Sequence, residues 1–111
     1  MADETLILRR WTGTIRTADE ADYVAYIDAT GTADYAATPG NRGFQMLLRD
    51  LGDGRSEVTT LSWWESLDAI RGFAGEDIGI ARYYPEDDRF LLDRPLHVEH
   101  HRVVSRSARI G

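Results

Sequence analysis

The feature that most constrains this chain is a two-residue turn, Asp53-Gly54, set between two runs of β-forming residues. Gly43 to Leu51 and Arg55 to Trp64 flank it, and Asp-Gly is a favoured tight hairpin turn because both positions tolerate positive φ. The turn places Gly52 opposite Arg55 and so sets a register. In that register Phe44, Met46 and Leu48 share a face with Thr59, Leu61 and Trp63. The other face holds Gln45, Leu47, Arg49, Leu51, Val58, Thr60, Ser62 and Trp64. A shift of one residue would swap one strand's set against the other.

The hairpin sits between two strand–helix signals. Residues 5–16 alternate in part, with Leu6 and Leu8 on one side and Ile7, Trp11 and Ile15 on the other, which reads as a strand. Thr17-Ala18-Asp19-Glu20 has the spacing of a capping box, and Ala21, Tyr23, Val24 and Ile27 follow at helical spacing. Gly31 would end that helix in a left-handed cap, before a loop holding Pro39-Gly40-Asn41-Arg42-Gly43. After the hairpin, Ser66 is an N-cap. Leu67, Ile70, Phe73 and Ala74 make an apolar stripe that stops at Gly75. Asp77 starts one more turn, and Tyr83-Tyr84-Pro85 ends it. Glu86-Asp87-Asp88 reads as a solvated acidic loop, and Leu96 to Val104 as a last strand.

The order is strand, helix, strand, strand, helix, strand: an α+β, ferredoxin-like βαββαβ protomer over residues 1–104, with a loose tail at 105–111. Two helices cover one face of a four-stranded sheet. The other face, with Leu47, Leu51 and Val58, is too apolar to stay open, so a homodimer with two sheets face to face is expected.

Composition removes several function classes. The 111 residues carry a net charge of −6, and all 13 basic residues are Arg. An acidic chain is a poor nucleic-acid binder. With no Cys and no Lys, disulfides, thiolate metal sites, Cys nucleophiles and Schiff-base lysines are excluded. Near the N-terminus the longest apolar stretch, Leu6-Ile7-Leu8, is followed at once by Arg9 and Arg10. No membrane association and a cytoplasmic location are therefore expected.

Five residues stand out as candidate site groups, each with a plainer reading. Trp64 offers a flat ring for stacking and an indole donor, or is core at a strand–helix junction. Trp63, pointing the other way, reads as core. His100 offers a base near neutral pH, or is a buried His held by one hydrogen bond. Arg49 could grip an anion, or pair with an acid at the sheet edge. Tyr84 could donate its hydroxyl at a pocket mouth, and Phe73 could wall a pocket or fill it. His97, Glu99, His100 and His101 do not make a metal site: on a strand His97 and His101 are about 13 Å apart and His100 faces away.

Trp64-Glu65-Ser66-Leu67-Asp68-Ala69-Ile70-Arg71-Gly72-Phe73-Ala74-Gly75-Glu76-Asp77, then Ala81-Arg82-Tyr83-Tyr84-Pro85-Glu86-Asp87-Asp88, then Val98-Glu99-His100, resemble the antibiotic-biosynthesis-monooxygenase-like proteins of the dimeric α+β barrel superfamily. The resemblance runs over about residues 6–104. It implies a dimer and a pocket between sheet and helices. It also implies a small aromatic or polyketide-like ligand, with oxygenation that uses no cofactor, or haem cleavage. Haem-cleaving relatives carry an iron-ligating His after the second helix and an Asn on the first strand. Here those stretches read Ile80-Ala81-Arg82-Tyr83 and Arg9-Arg10-Trp11, which argues against haem cleavage. For an enzyme of that kind, the residues' own chemistry makes His100 and Tyr84 the expected catalytic groups and Trp64, Arg49 and Phe73 the expected substrate-binding ones, with no metal and no cofactor. The alternative is a ligand-binding or structural dimer without turnover.

Overall fold

The computed structural model describes residues 6–107. Four antiparallel strands form one sheet: β1 (Ile7–Arg16), β2 (Asn41–Gly52), β3 (Arg55–Trp64) and β4 (Glu99–Arg102), in the order β2-β3-β1-β4. Between them lie α1 (Glu20–Ala29), α2 (Gly31–Ala37), α3 (Leu67–Ala74) and α4 (Asp87–Phe90). This is the ferredoxin-like arrangement that the element order anticipates.

The hairpin turn forms as expected, with Asp53 at φ 55° and Gly54 at φ 74°, and Gly52 opposite Arg55. The faces do not follow the simple register. Asp50 pairs with Ser56 and Gly52 with Arg55, so Leu51 is an extra residue in β2. Such a bulge shifts the alternation of everything beyond it. Leu48 therefore faces Val58, Met46 faces Thr60 and Phe44 faces Ser62. Val58, Thr60, Ser62 and Trp64 turn to the helices together with Phe44, Met46 and Leu48. Gln45, Leu47 and Arg49 turn to the open side with Glu57, Thr59, Leu61 and Trp63. Trp63 is thus a half-buried residue of the open face and not core, while Trp64 is fully buried. Val58 leaves the open face, where Leu8, Leu47, Leu61 and Trp63 supply the apolar surface instead.

The capping box does not form. Thr17 opens a short 3-10 turn with no side-chain cap. The Ser56 hydroxyl donates to Glu20 Oε2 at 2.5 Å, and the Thr17 hydroxyl donates to Ser56 Oγ at 2.8 Å. Both residues tie the start of α1 to β3 instead of closing on each other. Gly31 does not cap α1 either. The chain bends at Thr30 (φ −124°, ψ −82°), and Gly31 begins α2, whose buried Tyr35 reaches the sheet. Ser66 caps α3 as expected, accepting from the Ala69 amide at 3.0 Å.

Glu86-Asp87-Asp88 is not a solvated loop. Asp87 is 2% exposed and begins α4. Phe90 on α4 meets Tyr23 edge-on at 5.3 Å and stacks on Tyr26 at 5.7 Å. The last strand is shorter than Leu96 to Val104, and those two end residues are 58% and 83% exposed. Of the tail expected from Ser105, residues 108–111 lie outside the described residues.

The core has two parts. Ile15, Tyr23, Ile27, Val58, Phe90 and Leu91 pack at one end, and Tyr35, Trp64, Ile70 and Phe73 at the other. The candidate site lies between them.

Candidate functional site

β1 supplies the floor. By its period of two, Ile7, Arg9, Trp11, Gly13 and Ile15 share the helix-covered face. Gly13 is small for a reason: a Cβ there would lie 2.7 Å from the Trp11 ring, so its absence lets that ring lie along β1. Trp11 Nε1 then donates to Tyr83 Oη at 3.2 Å, and the Tyr83 hydroxyl donates to the Pro95 carbonyl.

Arg9 is 2% exposed. Its Nη1 donates to the Ile78 carbonyl at 2.6 Å and to His100 Nε2 at 3.0 Å, and its Nη2 donates to the Ile80 carbonyl at 3.3 Å. Its guanidinium stands 5.7 Å from the centre of the Phe73 ring. Burial pulls the Arg9 pKa down, and the Tyr35 hydroxyl nearby partly offsets this. An arginine has no acceptor, so His100 Nε2 must present its lone pair and carry its proton on Nδ1. Burial, then the Arg9 charge, hold the His100 pKa below its ordinary value.

Above this floor is a cavity of about 40 Å³, walled by Tyr23, Tyr35, Phe73 and Tyr84 among others. Tyr35 and Phe73 nearly fill it, with ring centres 4.7 Å apart. At its mouth is a clamp. Arg82 lies between the rings of Phe73 and Tyr84, 4.9 Å from each, and donates to the Phe73 carbonyl at 2.8 Å. Asp34 on α2 receives the Tyr84 hydroxyl at 2.6 Å and pairs with Arg82 at 3.2 Å. Burial, with Asp34 second, pushes the Tyr84 pKa far up, so Tyr84 is a donor and not a phenolate.

Asp87 closes the other side. Its Oδ2 accepts from the Tyr84 amide at 2.5 Å, and among the described residues its buried Oδ1 has no partner. Burial raises its pKa, which keeps the carboxyl nearer to taking up a proton.

Of the five residues singled out from the sequence, Phe73 and Tyr84 line this cavity. His100 touches it only through Arg9. Trp64 lies behind the cavity wall, where its indole donates to Ser62 Oγ at 2.8 Å. Arg49 is on the open face, paired through both ends of its guanidinium with Glu57 at 3.1–3.2 Å. Sequence reasoning missed Arg9, Tyr35, Arg82 and Asp87. A signal for Arg9 was present, since it alternates in phase with Ile7, Trp11 and Ile15. Among the described residues no three His, Asp or Glu side chains could hold a metal ion, and no helix is long and apolar enough to cross a membrane.

A larger hollow, about 510 Å³, lies near the β2–β3 end, bordered by Leu6, Arg42, Phe44, Gln45, Trp63 and Arg106 among others.

No protein-family model and no curated protein matches the chain in sequence. Solved structures do match in shape. A Bacillus cereus protein assigned as an antibiotic biosynthesis monooxygenase is 18% identical, with TM-score 0.56, over 96% of this chain and 100% of that one. A haem-degrading protein from Mycobacterium tuberculosis, solved free of haem, is 17% identical, with TM-score 0.57, over 96% of this chain and 99% of that one. A monooxygenase from Streptomyces coelicolor, in complex with nanaomycin D, is 16% identical, with TM-score 0.51, over 96% of this chain and 92% of that one. At these identities the likeness carries the fold and leaves the chemistry open, since the neighbours differ in activity. The chain shares, over nearly its whole length, the ferredoxin-like fold of the antibiotic-biosynthesis-monooxygenase-like proteins.

Proposed function

We propose that this chain is a small-molecule-binding protein that takes a planar hydroxyaromatic compound between its sheet and helices, and that it oxygenates that compound without a cofactor. The observation that carries the reading is the cavity itself: aromatic walls from Tyr35, Phe73 and Tyr84 around one buried cation, Arg9. The rings would sandwich the substrate. Arg9 would hold the negative charge of its deprotonated hydroxyl in a site of low polarity, where such a contact is strongest. The phenolate passes an electron to dioxygen, and the two radicals join in a C–O bond. One oxygen atom stays on the ring as a quinone carbonyl. The other leaves as water, with the hydroxyl proton and the hydrogen of the oxidised carbon.

Asp87 is the group we assign to the hydroxyl proton, because its buried Oδ1 lies at the cavity wall. His100 is a positioning residue, since its free lone pair already receives Arg9. A proton on that nitrogen would set two cations side by side.

A second reading, a binding module without turnover, is favoured by volume. The cavity is about 40 Å³, whereas pockets for drug-sized ligands run from about 300 Å³. An aromatic ligand enters only if the Asp34–Tyr84–Arg82 clamp opens. We also propose that the working unit is a homodimer, in which a second copy covers Leu8, Leu47, Leu61 and Trp63. The Arg10–Glu99 and Arg49–Glu57 pairs lie on that face, so it is close to neutral on a chain of charge −6. That supports self-association.

A thermal-shift screen with hydroxyquinones, followed by oxygen uptake with any hit, tests the first reading. A hit that stabilises the protein and drives oxygen consumption supports it. Stabilisation without oxygen uptake leaves the binding module. No shift with any planar hydroxyaromatic removes both.

A further inference from the structure

Arg9 presents an electrostatic problem that its protein contacts do not solve. A guanidinium taken out of water normally meets a carboxylate or a comparable anion, because the desolvation of an unpaired charge amounts to several kcal/mol. The partners of Arg9 are two backbone carbonyls, a neutral imidazole, the Tyr35 hydroxyl and the face of Phe73. These are dipoles and a quadrupole, and none carries a charge. The acids at the cavity wall and mouth do not pair with Arg9. Asp34 serves Arg82 and Tyr84, and Asp87 accepts from the Tyr84 amide through Oδ2 while its Oδ1 makes no contact with Arg9. Among the described residues no carboxylate forms an ion pair with Arg9.

The cavity beside this cation has two hydroxyls on its wall, Tyr35 and Thr60, hydrogen-bonded to each other at 3.3 Å, so that one of the two has its proton free for an occupant. Its volume of about 40 Å³ is too small for an aromatic ring. A water-sized occupant needs about 10–15 Å³ on this measure, so the space corresponds to roughly three such positions. That suits an anion of one to four heavy atoms. The clamp at the mouth adds no net charge, since Arg82 is matched by Asp34.

We propose that this small cavity is a site for one small monovalent anion, such as chloride, nitrate or formate, held by the Arg9 guanidinium and by the one hydroxyl of the Tyr35–Thr60 pair whose proton is free. The site is independent of whether an aromatic ligand is ever taken up. It gives the buried cation its missing counter-charge and makes the stability of the fold depend on the anion present.

The test is thermal unfolding in sodium chloride, nitrate or formate, with ionic strength held constant by sodium gluconate, an anion too large to enter. The expected result is a saturable rise in Tm, roughly 5–10 °C at ten times the dissociation constant, in the small anions over gluconate. Arg9→Met should abolish the difference between anions, and Arg10→Gln, on the opposite face, should keep it. Should Arg9→Met fail to fold, wild-type crystals grown in bromide serve instead, with an anomalous peak expected between Arg9 and Thr60. Equal Tm in chloride and gluconate overturns the site. So does an anion effect that survives in folded Arg9→Met, or bromide found only on the surface. Hydroxyaromatic binding is read separately, in gluconate alone, so the failure of one proposal is visible apart from the failure of the other.

Discussion

Asp34→Ala should open the cavity mouth without unfolding the sheet. Asp34 is the point where α2 holds the Arg82–Tyr84 segment, through one hydrogen bond from Tyr84 at 2.6 Å and one ion pair with Arg82 at 3.2 Å. A hydrogen bond to a charged group contributes about 1.5–3 kcal/mol. The Asp34 side chain is 40% exposed, so the low end applies. The ion pair, equally exposed, adds about 0.5 kcal/mol. Together they favour the closed state by about 2 kcal/mol, so their loss should raise the open population about 30-fold. Tyr84→Phe removes the hydrogen bond alone and should raise it about tenfold. Native-state hydrogen exchange reads this directly. The Glu86 amide donates to Tyr26 Oη, and the Asp87 amide to the Tyr84 carbonyl. Both should exchange faster by these factors, while amides of the β1–β3 ladder stay protected. If the ladder amides speed up as much as Glu86 and Asp87, the contacts support the whole fold. If nothing changes, Asp34 holds nothing shut. Either result refutes the clamp.

Other expectations follow from the same contacts. Trp64→Ala should cost about 3–5 kcal/mol of stability, read by chemical denaturation, yet leave ligand affinity of the folded protein unchanged, because the indole lies behind the cavity wall. The fold holds the His100 pKa below its ordinary 6.5, so the unfolded chain binds that proton more readily, and stability should fall as pH drops through about 6.5; His100→Gln should flatten that limb in pH-dependent melts. Asp87 has the opposite sign. Its pKa is raised above 3.8, so the unfolded chain ionises first, and stability is lost as pH rises from 3.8 through the folded value; Asp87→Asn should remove that loss. Deleting Leu51 should leave the sheet intact, because Gly52 already faces Arg55 and Asp50 already faces Ser56, so removing the extra residue keeps Leu48 opposite Val58 and Gln45 and Arg49 on the open side; a retained folded spectrum in circular dichroism checks it, and loss of the fold would contradict the bulge.

The fold was legible because its punctuation is local. Asp53-Gly54, Ser66 and Gly75 each specify a turn or a cap through their own backbone or side chain, and all three act as their types suggest. What failed were readings that depend on contacts distant in sequence. The bulge at Leu51 has no distinctive residue pattern, yet it reverses which side of β3 is covered and exchanges the roles of Trp63 and Trp64. Thr17 and Glu20 have capping-box spacing, but Ser56 on β3 offers both of them a partner. Asp87 sits in a run of three acids and is buried only because Phe90 anchors α4 against Tyr23 and Tyr26. The site was legible in part for the same reason. Phe73 and Tyr84 flank helix and turn signals, whereas Arg9 shows itself only when strand phase is followed through a charged residue.

The central claim is that a planar hydroxyaromatic ligand is taken up between the sheet and the helices. A crystal of the protein with a bound hydroxyquinone tests it most directly. The account predicts the ligand between Tyr35 and Phe73, with an oxygen on the Arg9 guanidinium and the Tyr84–Asp34 bond broken. A ligand seated instead in the hollow by Arg42, Trp63 and Arg106, with the Arg9 cavity still closed, would contradict it.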